Sequence, residues 1–283
     1  MLDTGTPGRK DTGVEKELGV RSSTSVLARM RRLPAAYQVI VALVTGFVGV
    51  VVLLRPMLRV LLRRDWRGME HLPEGGCVIA PNHLSYVDPL AIALYLFDND
   101  RPPYYLGKEA VFRIPVLGKL VGWADQIPVY RGTGQAADAM RAAVAAVQEG
   151  KTVVVYPEGT LTRDPGGWPM KGKTGAARIA LTTRCPVIPI AMWGPQEVLG
   201  TYQKDLHLFP RKTMHILAGP PVDLSDLYGK PQDVALLAMA TDRIMDAITA
   251  QLEVLRGEQA PAVRFDSRAK GVPETGNPNK ERP

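Results

Sequence analysis

The hydrophobic positions of the chain change their pattern near residue 66. Beyond it, short apolar runs alternate with longer segments whose apolar residues recur every three or four positions. The short runs, at 77–80, 104–106, 127–130, 152–156, 187–190 and 214–217, predict strands. Residues 84–97, 135–148, 175–183 and 232–255 predict helices. In 135–148, Met140, Val144 and Val147 share one face and Gly150 ends the segment. The run 152–156 is β-branched with little alternation, which predicts a central strand buried on both faces. Strands alternating with helices predict an α/β fold, with a mostly parallel central sheet covered by helices on both faces. Residues 111–123 are apolar but interrupted by Pro115, Gly118 and Gly122.

The first part of the chain reads differently. Residues 1–28 are polar and predict a disordered lead-in. Residues 35–54 form an uncharged run of twenty, which at ~1.5 Å per residue just reaches across a hydrocarbon core of about 30 Å. Arg29, Arg31 and Arg32 precede this run, and Arg55, Arg59, Arg63 and Arg64 follow it. Arginine at both ends suits an interfacial or re-entrant helical segment bending at Gly46 and Gly49, with a single span as the alternative. The i+4 recurrence of Arg55, Arg59 and Arg63 predicts a helix on lipid head groups, with Leu54, Leu58, Leu61 and Leu62 facing acyl chains. A buried helix of a soluble domain is disfavoured, because these arginines have no neighbouring acid in the sequence. The expected organisation is therefore a disordered 1–28, a basic membrane-anchoring 29–64, an α/β domain at 65–256 and a disordered tail at 257–283.

Charge sharpens this division. The formal net charge is +7, and residues 1–64, with eleven basic and four acidic side chains, carry all of it. The body from residue 65 is neutral overall, which argues against a nucleic-acid partner. Cys77 and Cys185 are too few for a disulfide framework, and no Cys/His cluster has the spacing of a metal site.

Candidate chemistry gathers at strand ends, where open α/β sheets place their sites. After 77–80 comes Asn82-His83-Leu84-Ser85-Tyr86-Val87-Asp88. Asp88 can hold one ring nitrogen of His83 and leave the other as a base for a hydroxyl proton. No protein nucleophile accompanies the pair, so the nucleophile is a substrate hydroxyl. After 152–156 comes Glu158-Gly159-Thr160, a loop able to bind substrate hydroxyls through Glu158 and to offer backbone N–H groups near Gly159 to an anion. Lys108, Arg131, Arg163, Lys171 and Lys173 are dispersed cations near strand ends, suited to phosphate. A metal-dependent hydrolase using His83, Asp88 and Glu158 lacks a supporting ligand cluster.

The ordered set of Asn-His-x4-Asp, a strand ending in Arg131, Pro-Glu-Gly-Thr, Lys173-Thr-Gly-Ala176 and Val-Ile-Pro-Ile resembles the glycerophospholipid acyltransferases, in particular the bacterial 1-acylglycerol-3-phosphate acyltransferases. The likeness covers roughly residues 66–222. It implies transfer of a fatty acyl group from an acyl-CoA or acyl carrier protein thioester to lysophosphatidic acid, giving phosphatidic acid, with no cofactor or metal. It implies His83 as general base, oriented by Asp88. It implies Arg131 and Lys173 on the acceptor phosphate, Glu158 and Gly159 around the acceptor and oxyanion, and residues 111–123 along the acyl chain. Membrane lipids become partners, with the catalytic domain on the cytoplasmic face of the cell membrane. One departure concerns the acceptor. Many relatives have Arg directly after Glu-Gly-Thr, whereas here Leu161 stands there and Arg163 follows two residues later. Glycerol 3-phosphate, another lysophospholipid or a glycolipid are the alternative acceptors, and an inactive membrane-anchored binding protein is the alternative of another class.

Overall fold

The computed structural model describes residues 55–56, 58–108, 127–129, 135–203, 205–273 and 277–278. Its strands are β1 (Arg63–Arg67), β2 (Cys77–Pro81), β3 (Pro103–Lys108), β4 (Ile127–Val129), β5 (Thr152–Val154), β6 (Val187–Trp193) and β7 (Thr213–Ala218). Its main helices are α1 (Asp88–Asp98), α2 (Gln135–Gln148), α3 (Gly175–Thr183) and α4 (Val234–Arg256). The strands form one seven-stranded sheet in the order β1-β7-β6-β2-β5-β3-β4. Every pairing is parallel except β6 with β7. The α/β fold with a mostly parallel sheet is therefore observed.

The two-residue period of a strand explains the two cores. Val78 and Ala80 of β2, with Val153 of β5, pack against Ala143 of α2, Ile179 of α3 and Ile244 of α4. Cys77 and Ile79, with Val154, Ile188 and Ile190, face the opposite side and meet Ile92 and Leu96 of α1. All five residues of β2 are buried. Burying a Val or Ile side chain is worth about 1.5–3 kcal/mol, so this strand anchors both layers at once.

Helix α1 starts four residues later than its apolar pattern suggests. Residues 84–87 fold back onto the Asp88 carboxylate, and Pro89 at the start of α1 suits a first turn that needs no donor there.

The N-terminal arginines are placed differently from the sequence expectation. Residues 55–56 and 58–61 are helical, and β1 then pairs in register with β7 from Arg63↔Thr213 to Arg67↔Leu217. β1 thus runs through the expected boundary at 64/65. Leu58 and Leu62, expected against acyl chains, are each only 8% exposed and belong to the α1-side core. The expectation that these arginines lack an acid is corrected too. Arg55, Arg59 (3.1 Å) and Arg64 (2.8 Å) all pair with Asp98 at the end of α1, and the Trp66 indole N–H donates to it at 3.0 Å. Asp98 lies 34 to 43 residues further along the chain, so sequence spacing gave no sign of it. Gly68, just after β1, has φ +74°, and a Cβ there would lie 1.9 Å from the Ala218 carbonyl oxygen, so only glycine lets β1 lie this close to β7. Among the described residues no helix is long and apolar enough to cross a membrane. The apolar run 35–54, the lead-in 1–28 and the stretch 111–123 lie outside the described residues.

The expected disordered tail is also corrected for residues 257–273. The Lys171 N–H donates to the Phe265 carbonyl at 2.9 Å, the Ala260 N–H donates to Glu253 at 2.8 Å, and Arg264 pairs with Asp246. Polar and backbone contacts hold this segment with few apolar residues, which is why hydrophobic patterning missed it.

Burial alone would raise the Asp98 pKa, but hydrogen bonds from Trp66 and Arg55, with the arginine charge, hold it below the ordinary carboxylate value of 3.8. Its contribution to stability is therefore present above that value and lost as pH falls through the folded pKa. Asp98→Asn is expected to destabilise the protein by about 2 kcal/mol at neutral pH, with protease cleavage appearing first at 55–67. Urea unfolding and mapped limited proteolysis check this, and an unchanged midpoint would show that the arginine cluster is not holding β1.

Candidate active site

The site lies where β2 and its neighbour β5 end, at the C-terminal edge of the parallel sheet. Asn82 fixes the exit of β2. Its side chain donates to the Met192 carbonyl (3.1 Å) and accepts from the Met192 N–H (2.7 Å), copying a strand ladder across to β6. His83 then leaves the sheet with its side chain 16% exposed. Its Nδ1 is 2.9 Å from Asp88 Oδ2. The same oxygen accepts the N–H groups of Leu84 (2.6 Å) and Ser85 (2.8 Å), and Asp88 is fully buried at the first turn of α1. Three donors on one buried carboxylate fix its position, and it in turn fixes the imidazole. With Nδ1 facing a carboxylate, Nδ1 is the protonated nitrogen of the neutral ring and Nε2 is the basic one. The Tyr156 ring stacks on His83 at 4.1 Å between centroids and 29° between planes. The sequence pattern marks Tyr156 only as the end of a strand, and no spacing rule points to its stacking role.

Glu158 is 2% exposed. Its Oε1 accepts the His83 N–H and its Oε2 the Met170 N–H, each at 3.0 Å. The two expected halves of the site, the His83 turn and the Glu158 loop, are thus joined by one side chain. Glu158 acts as a clamp between loops, where the sequence suggested direct work on substrate hydroxyls. Burial pushes its pKa up to about 8 despite these two backbone donors. Gly159 has φ +69°, and its N–H donates to the Tyr156 carbonyl at 3.0 Å. That N–H is engaged in the turn, so it is not one of the N–H groups near Gly159 that could meet an anion. Thr160 is half-buried beside it.

The expected cations divide into separate groups. The Lys173 side chain lies along Gly159, where an added Cβ would meet its Nζ at 3.2 Å, and its N–H donates to the Pro157 carbonyl at 2.8 Å. Leu161 is 2% exposed, and Arg163 is 8% exposed with its guanidinium 5.7 Å from the Tyr202 ring. The Arg163 guanidinium therefore sits under Tyr202 and is not among the groups that line the cavity beside Glu158, although its backbone N–H meets the sulfur of the lining residue Met170 at 3.1 Å. Lys108 is the last residue of β3, in register with Val129, and nothing is described of its side chain. Arg131 lies outside the described residues. Among the described residues, no group of three or more His, Cys, Asp or Glu side chains is placed to hold a metal ion.

Comparison with known proteins adds to this geometry. The family model described as Acyltransferase matches residues 63–193, a range that begins with β1 and ends with β6. The chain is 30% identical over 143 residues to the chloroplastic 1-acyl-sn-glycerol-3-phosphate acyltransferase BAT2 of Brassica napus, covering 49% of this chain and 40% of that protein. It is 26% identical to the 1-acyl-sn-glycerol-3-phosphate acyltransferase of Bacillus subtilis, covering 60% of this chain and 79% of the relative. The chain thus spans well under half of the plant protein and most of the bacterial one. In fold it is similar to the crystal structure of the 1-acyl-sn-glycerophosphate acyltransferase PlsC from Thermotoga maritima, with a TM-score of 0.55 and 19% identity over 84% of this chain and 90% of that one. The named relatives are O-acyltransferases.

A glutamic acid whose pKa rises on folding favours the folded state below its ordinary value of 4.5, and that contribution is lost as pH rises through about 8. Glu158→Gln keeps the shape but offers one acceptor to two N–H groups. It is expected to cost about 1–3 kcal/mol at pH 5. The gap to wild type should narrow towards pH 8, as the wild type alone must bury a charge. Urea midpoints at several pH values read this, and a gap that widens with pH would contradict it.

Proposed function

We propose that this chain transfers a fatty acyl group from an acyl thioester, acyl-CoA or acyl carrier protein, to the free hydroxyl of lysophosphatidic acid, giving phosphatidic acid. The observation that carries the reading is the buried Asp88 holding His83 Nδ1 at 2.9 Å, at the strand exit of an acyltransferase-family domain. The names of the curated relatives supply the acceptor.

The chemistry follows from that pair. His83 Nε2 takes the proton of the acceptor hydroxyl as its oxygen attacks the thioester carbonyl. Asp88 stabilises the resulting imidazolium. The tetrahedral intermediate collapses with C–S cleavage, and the proton passes from His83 to the departing thiolate. A C–O bond replaces a C–S bond, with no redox change. The thioester is already activated, so the enzyme's work is alignment and proton transfer. Tyr156 stacked on the imidazole limits ring rotation, and Glu158 holds the His83 backbone, so the base is positioned from both sides. Thr160, Gly159 and Lys173 form the acceptor side, and Arg131 and Lys108 are further cations for the acceptor phosphate. The basic segment before β1 holds the neutral body on an anionic bilayer at the cytoplasmic face, where the acceptor partitions.

His83→Ala is expected to lower kcat for thiol release from acyl-CoA with lysophosphatidic acid by about 10²- to 10⁴-fold, with the fold intact by circular dichroism. Wild-type turnover in the variant would remove His83 as the base. Wild-type protein that releases thiol only with glycerol 3-phosphate, another lysophospholipid or a glycolipid would reassign the acceptor.

A further inference from the structure

Next to Glu158 lies an open cavity of about 310 Å³. Thr160 and Lys173 line it from the site loops, and Lys171, Ser267 and Arg268 complete it. Ser267 and Arg268 belong to the C-terminal segment, which lies beyond the residues matched by the family model. The segment is seated by specific contacts. The Lys171 N–H bonds to Phe265, Lys171 Nζ is 3.4 Å from Asp266, and the Ser267 hydroxyl is 3.5 Å from the Met170 sulfur. Met170 is the residue whose N–H holds Glu158.

The charge around the cavity is uneven. Lys171, Lys173 and Arg268 face it, against the carboxyls of Glu158 and Asp266. Glu158 already accepts two backbone N–H groups. Asp266 accepts the N–H groups of Arg268 (2.9 Å) and Ala269 (3.3 Å) as well as the Lys171 ammonium. Thr174, which opens α3, also lines the cavity and makes no side-chain cap, so the positive end of a helix adds to the three cations. A small, open, cationic cavity with hydroxyls at its rim suits a phosphomonoester dianion. Glu158 touches both this cavity and the His83 backbone, so an anion held here sits one side chain from the His83 backbone.

We propose that Arg268, carried in by the C-terminal segment, is a head-group-binding residue that holds the acceptor's phosphomonoester in this cavity and selects acceptors that bear one. This rests on the acyl transfer to lysophosphatidic acid proposed above. It also accounts for the cation count. Leu161 is buried and Arg163 is packed under Tyr202, so among the described residues charge for the head group comes from Lys171, Lys173 and the tail.

The test compares full-length Arg268→Gln with wild type and with Lys270→Gln, an exposed change on the same segment outside the cavity lining. Arg268→Gln is expected to raise the KM for lysophosphatidic acid about tenfold, the loss of one charge-assisted hydrogen bond, with kcat and the KM for acyl-CoA unchanged. Lys270→Gln is expected to match wild type. An unchanged KM for lysophosphatidic acid would overturn the proposal. A rise in the acyl-CoA KM instead would also overturn it, because the phosphomonoester held would then be that of coenzyme A. A second readout does not need turnover. Glycerol 3-phosphate should raise the melting temperature of wild type and Lys270→Gln but not of Arg268→Gln, and equal shifts in all three would again overturn the assignment. Wild-type protein inactive on lysophosphatidic acid would sink the proposed reaction, while the melting comparison would still decide whether Arg268 binds the anion.

Discussion

Burial of β2 on both faces is the constraint from which the rest of the structure follows. A strand flanked by two parallel neighbours and covered by helices above and below has nowhere to place a polar side chain along its length. Its chemistry must therefore appear at its exit. Asn82 makes that exit rigid by bonding both ways to the Met192 backbone, and the next residue is His83. The imidazole is held by a strand that cannot shift without disturbing two hydrophobic cores.

Around that exit, two buried acids are each held by several donors. Asp88 accepts three donors on one oxygen, and Glu158 takes one backbone N–H on each of its two. The two carboxylates differ in consequence. Asp88 faces the reacting ring and orients it. Glu158 faces backbone, joins two loops that leave neighbouring strands, and meets the cavity from behind. Two acids close in space thus take different work because their donors come from different parts of the chain.

Much of this was legible in the sequence, for physical reasons. Period-two and period-3.6 patterns mark the elements that bury apolar faces, so α2 and α3 match their expected ranges and β2, β3, β5, β6 and β7 appear at their expected runs. His83 and Asp88 were readable because their contact is local, five residues apart. What escaped was non-local and polar. β1 is RRDWR, a sequence with no strand pattern, and it forms because β7 supplies its partners. The acid that meets Arg55, Arg59 and Arg64 is brought close only by the packing of α1. The stack of Tyr156 on His83 joins the exits of two different strands. The C-terminal segment carries too few apolar residues to announce itself, and backbone bonds to 171 hold it in place.

The segment from Met170 to Lys173 has a consequence for how the molecule opens. On one side it is bonded to the Glu158 loop, through the Met170 and Lys173 amides. On the other it is bonded to the tail, through Lys171 and the Met170 sulfur. Three strips of irregular chain are laminated together with no regular ladder among them. Such a laminate has no strip that can peel away alone, because the middle one is shared. Local unfolding at the C-terminus and loosening of the backbone behind the imidazole therefore belong to one cooperative unit, and the tail behaves as a latch on a reaction centre that precedes it by more than a hundred residues.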